Sequence, residues 1–321
     1  MGQSTPVEAA GGPGETGAAL EAGPPVAVPG STSRTPLTEA VVEVRATRPD
    51  LVSQVLRHRP RPALEQVRSL MVVACDHPAR GALGAGTEPM AMASREDLLA
   101  RCVEALSRPG VNGFLGTPDV VEDLALLGAL DGKMVWGSMN RVGLQGASFE
   151  ADDRFSGYDA AGIKASGLDG GKMLTRICYT DPASASLLEA CAGAVTSLAE
   201  RGLTAMVEPF VSCWQGGRLV NDLSPEAVIR SVSVAQALGR TSAYTWLKLP
   251  CVEDMERVME STTLPSLILG GEVSRDPEAA MASWARALAL PNVRGLVLGR
   301  SLLYPPDDDV AAAVDGAVAL L

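Results

Sequence analysis

Only four lysines stand among the 27 basic residues of this 321-residue chain: Lys133, Lys164, Lys172 and Lys248; the rest are arginine. A guanidinium stays charged at any ordinary pH, whereas a lysine amine becomes a nucleophile once its surroundings favour the neutral form. Lys248 is the sharpest of the four. It lies in Tyr244-Thr-Trp-Leu-Lys-Leu-Pro250, an otherwise apolar run. A buried ammonium is costly unless it is neutralised or paired, and both desolvation and a neighbouring cation lower its pKa. A neutral amine held this way attacks a carbonyl and forms a Schiff base. The same residues also admit a plainer reading, a strand-end lysine that snorkels to solvent or pairs with a carboxylate.

Glu208 follows Thr204-Ala-Met-Val and also falls at the end of an apolar run. One strand from a lysine nucleophile, a carboxylate can shuttle the protons of carbinolamine formation and dehydration. Its alternative is a structural ion pair with Lys248 or Lys172. Lys172 follows Gly170-Gly171 and is either the cation that depresses Lys248 and orients a substrate oxygen, or a packing lysine. Arg176, on the same run, joins the candidates for substrate or phosphate binding. Asp76 ends the first apolar run, where it positions a substrate hydroxyl, holds a lysine, or caps the following turn. His77 reads as a local hydrogen-bonding residue, and Lys133 and Lys164 as surface residues. Gly270-Gly271 and Gly299-Arg300 end the last two runs and are candidates for phosphate binding through backbone N–H groups and one guanidinium.

These residues need elements to hold them. Ser69–Cys75 is a continuous apolar run, as in a strand buried on both faces. Similar runs follow at Gly113–Leu115, Met134–Gly137, Met173–Ile177, Ala205–Val207, Tyr244–Leu249, Ser266–Leu269 and Gly295–Leu298. Between them lie amphipathic helices, clearest at Ser184–Arg201, Pro225–Leu238, Val252–Glu260 and Pro277–Leu288. Ser224 before Pro225 is a helix-start signal. Strand and helix alternating eight times predict an α/β fold, a closed (β/α)8 barrel whose active site lies at the carboxyl ends of the strands. No GxGxxG opens the first unit, which weighs against dinucleotide binding. Residues 1–35, rich in Gly, Pro, Ala, Ser and Thr, read as a disordered tail. Residues 36–66 read as an N-terminal helical extension interrupted near Pro49, and 67–321 as the barrel.

Composition narrows the class. A net charge of −11 argues against nucleic acid or an anionic membrane as a partner. No apolar run approaches the roughly 20 residues that span a bilayer. The N-terminus lacks a basic region followed by an apolar stretch, so a cytoplasmic location is expected. With 46% apolar and only 4% aromatic residues, Ala, Gly, Val and Leu fill the core. The six cysteines form no CxxC pair and read as small buried thiols. Two histidines, His58 and His77, give metal catalysis a low prior, and no cofactor is expected. A small phosphorylated sugar is the expected partner, with homo-oligomerisation open.

The motifs resemble a known group. Asp76-His-Pro-Ala-Arg-Gly-Ala-Leu83 resembles the first-strand segment of class I tagatose-bisphosphate aldolases and their bacterial fructose-bisphosphate and sulfo-sugar relatives. Gly171-Lys-Met-Leu-Thr-Arg176 resembles their fourth-strand lysine segment, Val207-Glu-Pro209 their fifth-strand glutamate, and Leu247-Lys-Leu-Pro250 their Schiff-base strand. Leu269-Gly-Gly271 and Val297-Leu-Gly-Arg300 resemble their phosphate-binding ends. The resemblance covers roughly residues 69–305. More narrowly the chain resembles an actinobacterial aldolase-like barrel family associated with inositol catabolism and often labelled deoxyribose-phosphate aldolase. It implies a metal-independent aldehyde-lyase in which Lys248 is the nucleophile, Glu208 assists loss of water, Lys172 and Asp76 position substrate oxygens, and Arg300 with the glycines holds phosphate. The turn His77-Pro78-Ala79 before Arg80 is longer than in the tagatose enzymes. Two other readings compete: a phosphosugar isomerase or epimerase with Glu208 as base, and a non-catalytic phosphosugar-binding barrel.

Overall fold

Eight parallel strands close on themselves, as the alternation predicts. In a computed structural model the residues described are 36–140, 143–271, 273–274 and 276–321, so the predicted tail of residues 1–35 lies outside them. The strands are β1 (Leu70–Cys75), β2 (Gly113–Gly116), β3 (Met134–Ser138), β4 (Gly170–Ile177), β5 (Thr204–Gln215), β6 (Arg218–Asp222), β7 (Thr245–Pro250), β8 (Ser266–Leu269) and β9 (Val293–Leu298). Their order is β4-β3-β2-β1-β9-β8-β7-β5-β6, and a further β4–β5 pairing closes the barrel. β6 stands outside the eight. It pairs antiparallel with the far end of β5, so the sixth barrel strand is β7.

Alternation of side chains divides the core in two. Leu70, Val72, Leu115, Met134, Trp136, Met206, Leu267 and Val297 point inward and fill the barrel, with Leu64 and Val67 packed against them from the preceding segment. Outward-facing residues such as Val73, Phe114, Val135, Val207 and Leu249 pack against the surrounding helices in the larger core. Burial on both faces explains why the strands read as unbroken apolar runs. Gly295 is required by geometry. Its φ is +142°, and a Cβ there would run into the Leu70 carbonyl, so β9 and β1 approach this closely only through glycine.

The helical extension is two helices, Leu37–Thr47 and Asp50–His58, split at Pro49 as expected. Glu96 accepts the backbone N–H groups of Leu37 and Thr38, both at 2.9 Å, and caps the first. Arg45 reaches Asp123 at 2.7 Å, fastening this helix to the helix Pro118–Leu126. Ser224 does cap its helix, accepting from the Ala227 N–H at 3.3 Å. Among the described residues no helix is long and apolar enough to cross a membrane.

The fourth strand begins earlier than expected. Gly170 and Gly171 belong to β4 rather than to a turn before it, so Lys172 is a strand residue inside the barrel. A Cβ at Gly170 would meet Thr204 of β5, which is why this strand can start on glycine. Lys164 is exposed and donates to the Arg201 carbonyl at 3.2 Å. Lys133 is half-buried, not a free surface residue, and caps the Val111 carbonyl at 2.6 Å. Of the cysteines, Cys75, Cys102, Cys178 and Cys191 are buried as expected, whereas Cys213 is exposed and Cys251 partly so.

Candidate active site

Four ionisable side chains near the carboxyl-terminal mouth of the barrel form one unbroken chain of contacts. Lys172 Nζ donates to Asp76 Oδ2 at 2.8 Å and lies 2.7 Å from Glu208 Oε2. Lys248 Nζ donates to the other carboxylate oxygen, Glu208 Oε1, at 2.8 Å. Register explains the alignment. Val207 of β5 pairs with Leu247 of β7, so the next residues, Glu208 and Lys248, lie side by side. Exposure is 3% for Asp76, 1% for Lys172 and 6% each for Glu208 and Lys248, so water does little to screen these charges.

The two lysines differ. Burial alone would lower Lys172, but Asp76 and Glu208 outweigh it and raise its pKa, holding the ammonium charged. Burial lowers Lys248; Glu208 opposes this and Lys172 reinforces it, and the net shift is downward from 10.5. Glu208 is pushed up by burial but pulled further down by Lys172 and Lys248, to about 2. Asp76 is likewise held far below the usual carboxylate range, its desolvation overcome by Lys172, His77 and Lys248. His77 lies 3.7 Å from Asp76, and burial drives its imidazole down to about 3, so it is neutral. The alternative of ion pairing for Glu208 is therefore realised with both lysines at once, and Lys248 does not snorkel to solvent.

The chain of contacts floors a cavity of about 920 Å³ whose wall carries Arg80, Lys172, Arg176, Arg218, Lys248 and Arg300 against Asp76, Glu150 and Glu208. Gly270, Gly271, Gly299 and Arg300 line it on the β8–β9 side, so every candidate named from the sequence reaches one cavity. Above the lysines, Leu174, Phe210 and Leu269 form an apolar shelf. Arg176 is engaged with a protein carboxylate. Its Nη1 donates to Glu150 Oε1 at 2.8 Å in a buried ion pair.

Several residues escaped the sequence reading. Glu150 sits in the loop after β3, where no periodicity marks it. Asn140 joins strands: its Nδ2 donates to the Leu174 carbonyl at 2.7 Å and its Oδ1 accepts the Leu174 N–H at 3.0 Å. Arg218 and Asn221 come from the β5–β6 hairpin, which rises over the cavity. Its turn, Gly216-Gly217 with φ of 55° and 77°, is a two-glycine hairpin signal that was present in the sequence. A separate cavity of about 590 Å³, walled mainly by apolar residues including Met281, Trp284 and Leu302, lies behind Gly270 and holds none of the four-residue chain.

Fold and site together define a (β/α)8 barrel with an aspartate–lysine–glutamate–lysine chain buried at its mouth. This chain belongs to the Cgl0159-like family, whose model matches residues 68–318. It is similar to the crystal structure of Cgl0159 from Corynebacterium glutamicum (Brevibacterium flavum), at 53% identity over 92% of this chain and 98% of that one, with a TM-score of 0.86. It is also similar in fold to an archaeal fructose-1,6-bisphosphate aldolase solved with its catalytic lysine covalently bound to the carbinolamine intermediate, at 15% identity over 84% and 97% of the two chains and a TM-score of 0.57. The fructose-bisphosphate aldolase of Slackia heliotrinireducens gives 13% identity, 88% and 86% coverage and a TM-score of 0.59. At such identities the likeness is one of fold. No curated protein matches the chain.

Proposed function

We propose that this protein is a class I aldolase, a lyase that cleaves or forms a C–C bond in a phosphorylated sugar or keto-sugar acid through a Schiff base on Lys248. The observation that carries this reading is the inequality of two lysines on one carboxylate. Lys172 is fixed as a cation by two carboxylates, whereas Lys248 has one carboxylate oxygen, deep burial and a like charge nearby, so its amine is the one that loses a proton.

In this mechanism the neutral Lys248 amine adds to the substrate carbonyl. With Lys248 uncharged, one of the two cations holding Glu208 down is gone, and the carboxylate can take the proton that it passes to the carbinolamine oxygen. Water leaves, and the iminium cation occupies the place of the ammonium beside Glu208. Electrons of the C–C bond flow into the iminium to give an enamine and an aldehyde, whose hydroxyl proton is given up as the bond breaks. Protonation of the enamine carbon and hydrolysis release the second product and restore Lys248. Lys172 and Asp76 hold substrate oxygens, and Gly270, Gly271, Gly299 and Arg300 receive phosphate, with Arg176 a further contact for the substrate. An isomerase would use Glu208 as base on a carbon-bound proton, a role that the lysines holding its carboxyl low oppose and that leaves the difference between Lys172 and Lys248 without a purpose.

The test is retro-aldol turnover by wild type and Lys248→Met over a keto-deoxy-gluconate phosphate of the kind formed in inositol breakdown, fructose bisphosphate and deoxyribose phosphate. Wild type should cleave one of these, and the variant should lose that turnover while remaining folded. Turnover retained without the amine would sink the covalent mechanism.

A further inference from the structure

Closure of the barrel gives each of its eight strands two neighbours. Among the described residues β6 has only one, since it pairs with β5 and ends the sheet. A bare edge is a template for another strand. The turn Gly216-Gly217 fixes which backbone groups that edge presents. In a two-residue hairpin the flanking pair, here Gln215 and Arg218, exchanges hydrogen bonds, and hydrogen-bonded pairs then alternate along the ladder. The register sets Trp214 against Leu219, Cys213 against Val220, Ser212 against Asn221 and Val211 against Asp222. Leu219 and Asn221 therefore turn their N–H and C=O groups away from β5, towards the free edge. Their side chains share the inner face: Leu219 is buried, and Asn221 Oδ1 accepts from Ser212 Oγ at 2.8 Å. Arg218, Val220 and Asp222 share the other face and are exposed, Val220 to 38%.

The sequence of this edge is complementary to itself. Laid antiparallel to a second copy about a two-fold axis at Val220, Leu219 falls opposite Asn221, and the outward N–H and C=O groups of each meet as hydrogen-bonded pairs on both sides of the axis. In the same register Arg218 falls opposite Asp222, giving an ion pair at each end. Arg218 has no carboxylate partner of its own among the described residues. Asp222 is already oriented and charged, because its Oδ1 accepts the Ser224 N–H at 2.9 Å and that bond holds the carboxyl below its ordinary value. Val220 meets Val220 on the axis. Leu223, 54% exposed, falls opposite Gly217, which has no side chain to obstruct it. Sliding the copies by two residues would set Arg218 against Val220 or Ser224 and lose both ion pairs.

We infer that β6 is the edge through which two copies of this chain form a two-fold symmetric dimer, by antiparallel strand pairing centred on Val220. Arg218 also lines the cavity, so the pairing brings Asp222 of the second copy to the rim of the candidate active site. The inference is independent of the aldolase reading, because it rests on the hairpin alone.

The experiment is sedimentation velocity on the full chain over a range of concentrations, with circular dichroism to confirm that each variant is folded. Wild type should sediment at twice the mass of one chain. Arg218→Asp sets like charges opposite one another at both ends, and so does Asp222→Arg; each should weaken the dimer by about tenfold or more. The double exchange Arg218→Asp/Asp222→Arg restores opposite charges with their positions swapped and should recover the dimer. Val220→Lys brings two ammonium groups together on the axis and should leave a folded monomer, because Val220 is exposed in the single chain. Wild type that stays monomeric at every concentration would overturn the inference. So would a dimer that withstands Val220→Lys, since it would be held by another surface. If the single exchanges dissociate the dimer and the double exchange does not recover it, the register centred on Val220 is wrong.

Discussion

Lys248 Nζ and Glu208 Oε1 face each other at 2.8 Å across the paired strands β7 and β5. The contact opposes the effect of burial on the amine, since the carboxylate favours the ammonium. Burial is the largest influence and lowers the amine, and Lys172, bound to the other oxygen of the same carboxylate, adds to that shift. The charge balance of Lys248 thus depends in part on a second lysine reached through a shared carboxylate.

The pH profile should report this. Attack requires a neutral amine, so activity should rise with pH along a limb lying below the ordinary lysine value of 10.5. Lys172→Met removes the like charge and should move that limb to higher pH. The limb is read from kcat/KM against pH, and an unmoved limb would mean that Lys172 does not tune Lys248.

Acid stability should carry the signature of Glu208. Its carboxyl falls from 4.5 to about 2 on folding, so the stabilisation it contributes is complete above 4.5 and is lost as pH falls towards 2. Asp76, also lowered, acts in the same direction. Thermal melts across that window should show a steep decline in wild type and a shallower one in Glu208→Gln. Parallel slopes would contradict the proposed ion-pair energetics.

The joint between β3 and β4 offers a test of the scaffold. Asn140→Leu would leave the Leu174 N–H and carbonyl without their buried partner, at about 1–3 kcal/mol for each unsatisfied group. A fall in melting temperature of about 5 °C or more is expected. Because Leu174 forms part of the shelf above Lys172, KM should rise as well.

Much of this site was legible because barrels impose a simple rule. Apolar runs unbroken by alternation marked strands buried on both faces, and the polar residue at or near the end of each run marked the mouth. Asp76, Glu208 and Lys248 were found that way, along with the glycines that follow β8 and β9, whereas Lys172 drew notice as one of only four lysines. What the runs could not supply was the third dimension. That both lysines share the two oxygens of one carboxylate depends on strand stagger, which pairs Lys172 with Met206 and Glu208 with Leu174. Glu150 reaches Arg176 from an irregular loop, which has no period to read. The fourth run was read from Met173 because Gly170-Gly171 carries no apolar side chain; both glycines are nonetheless strand residues, and the close approach of Thr204 leaves no room for a Cβ at Gly170. The β5–β6 hairpin was missed because the apolar run ended at Val207, while pairing carried β5 on to Gln215.

The most direct measurement is borohydride trapping followed by peptide mass spectrometry, after incubation with dihydroxyacetone phosphate, acetaldehyde or malonic semialdehyde in turn. The account predicts a stable adduct on the peptide containing Lys248 with at least one donor, and none on Lys172, whose charge is held by Asp76 and Glu208. An adduct on Lys172, or no adduct with any donor, would contradict it.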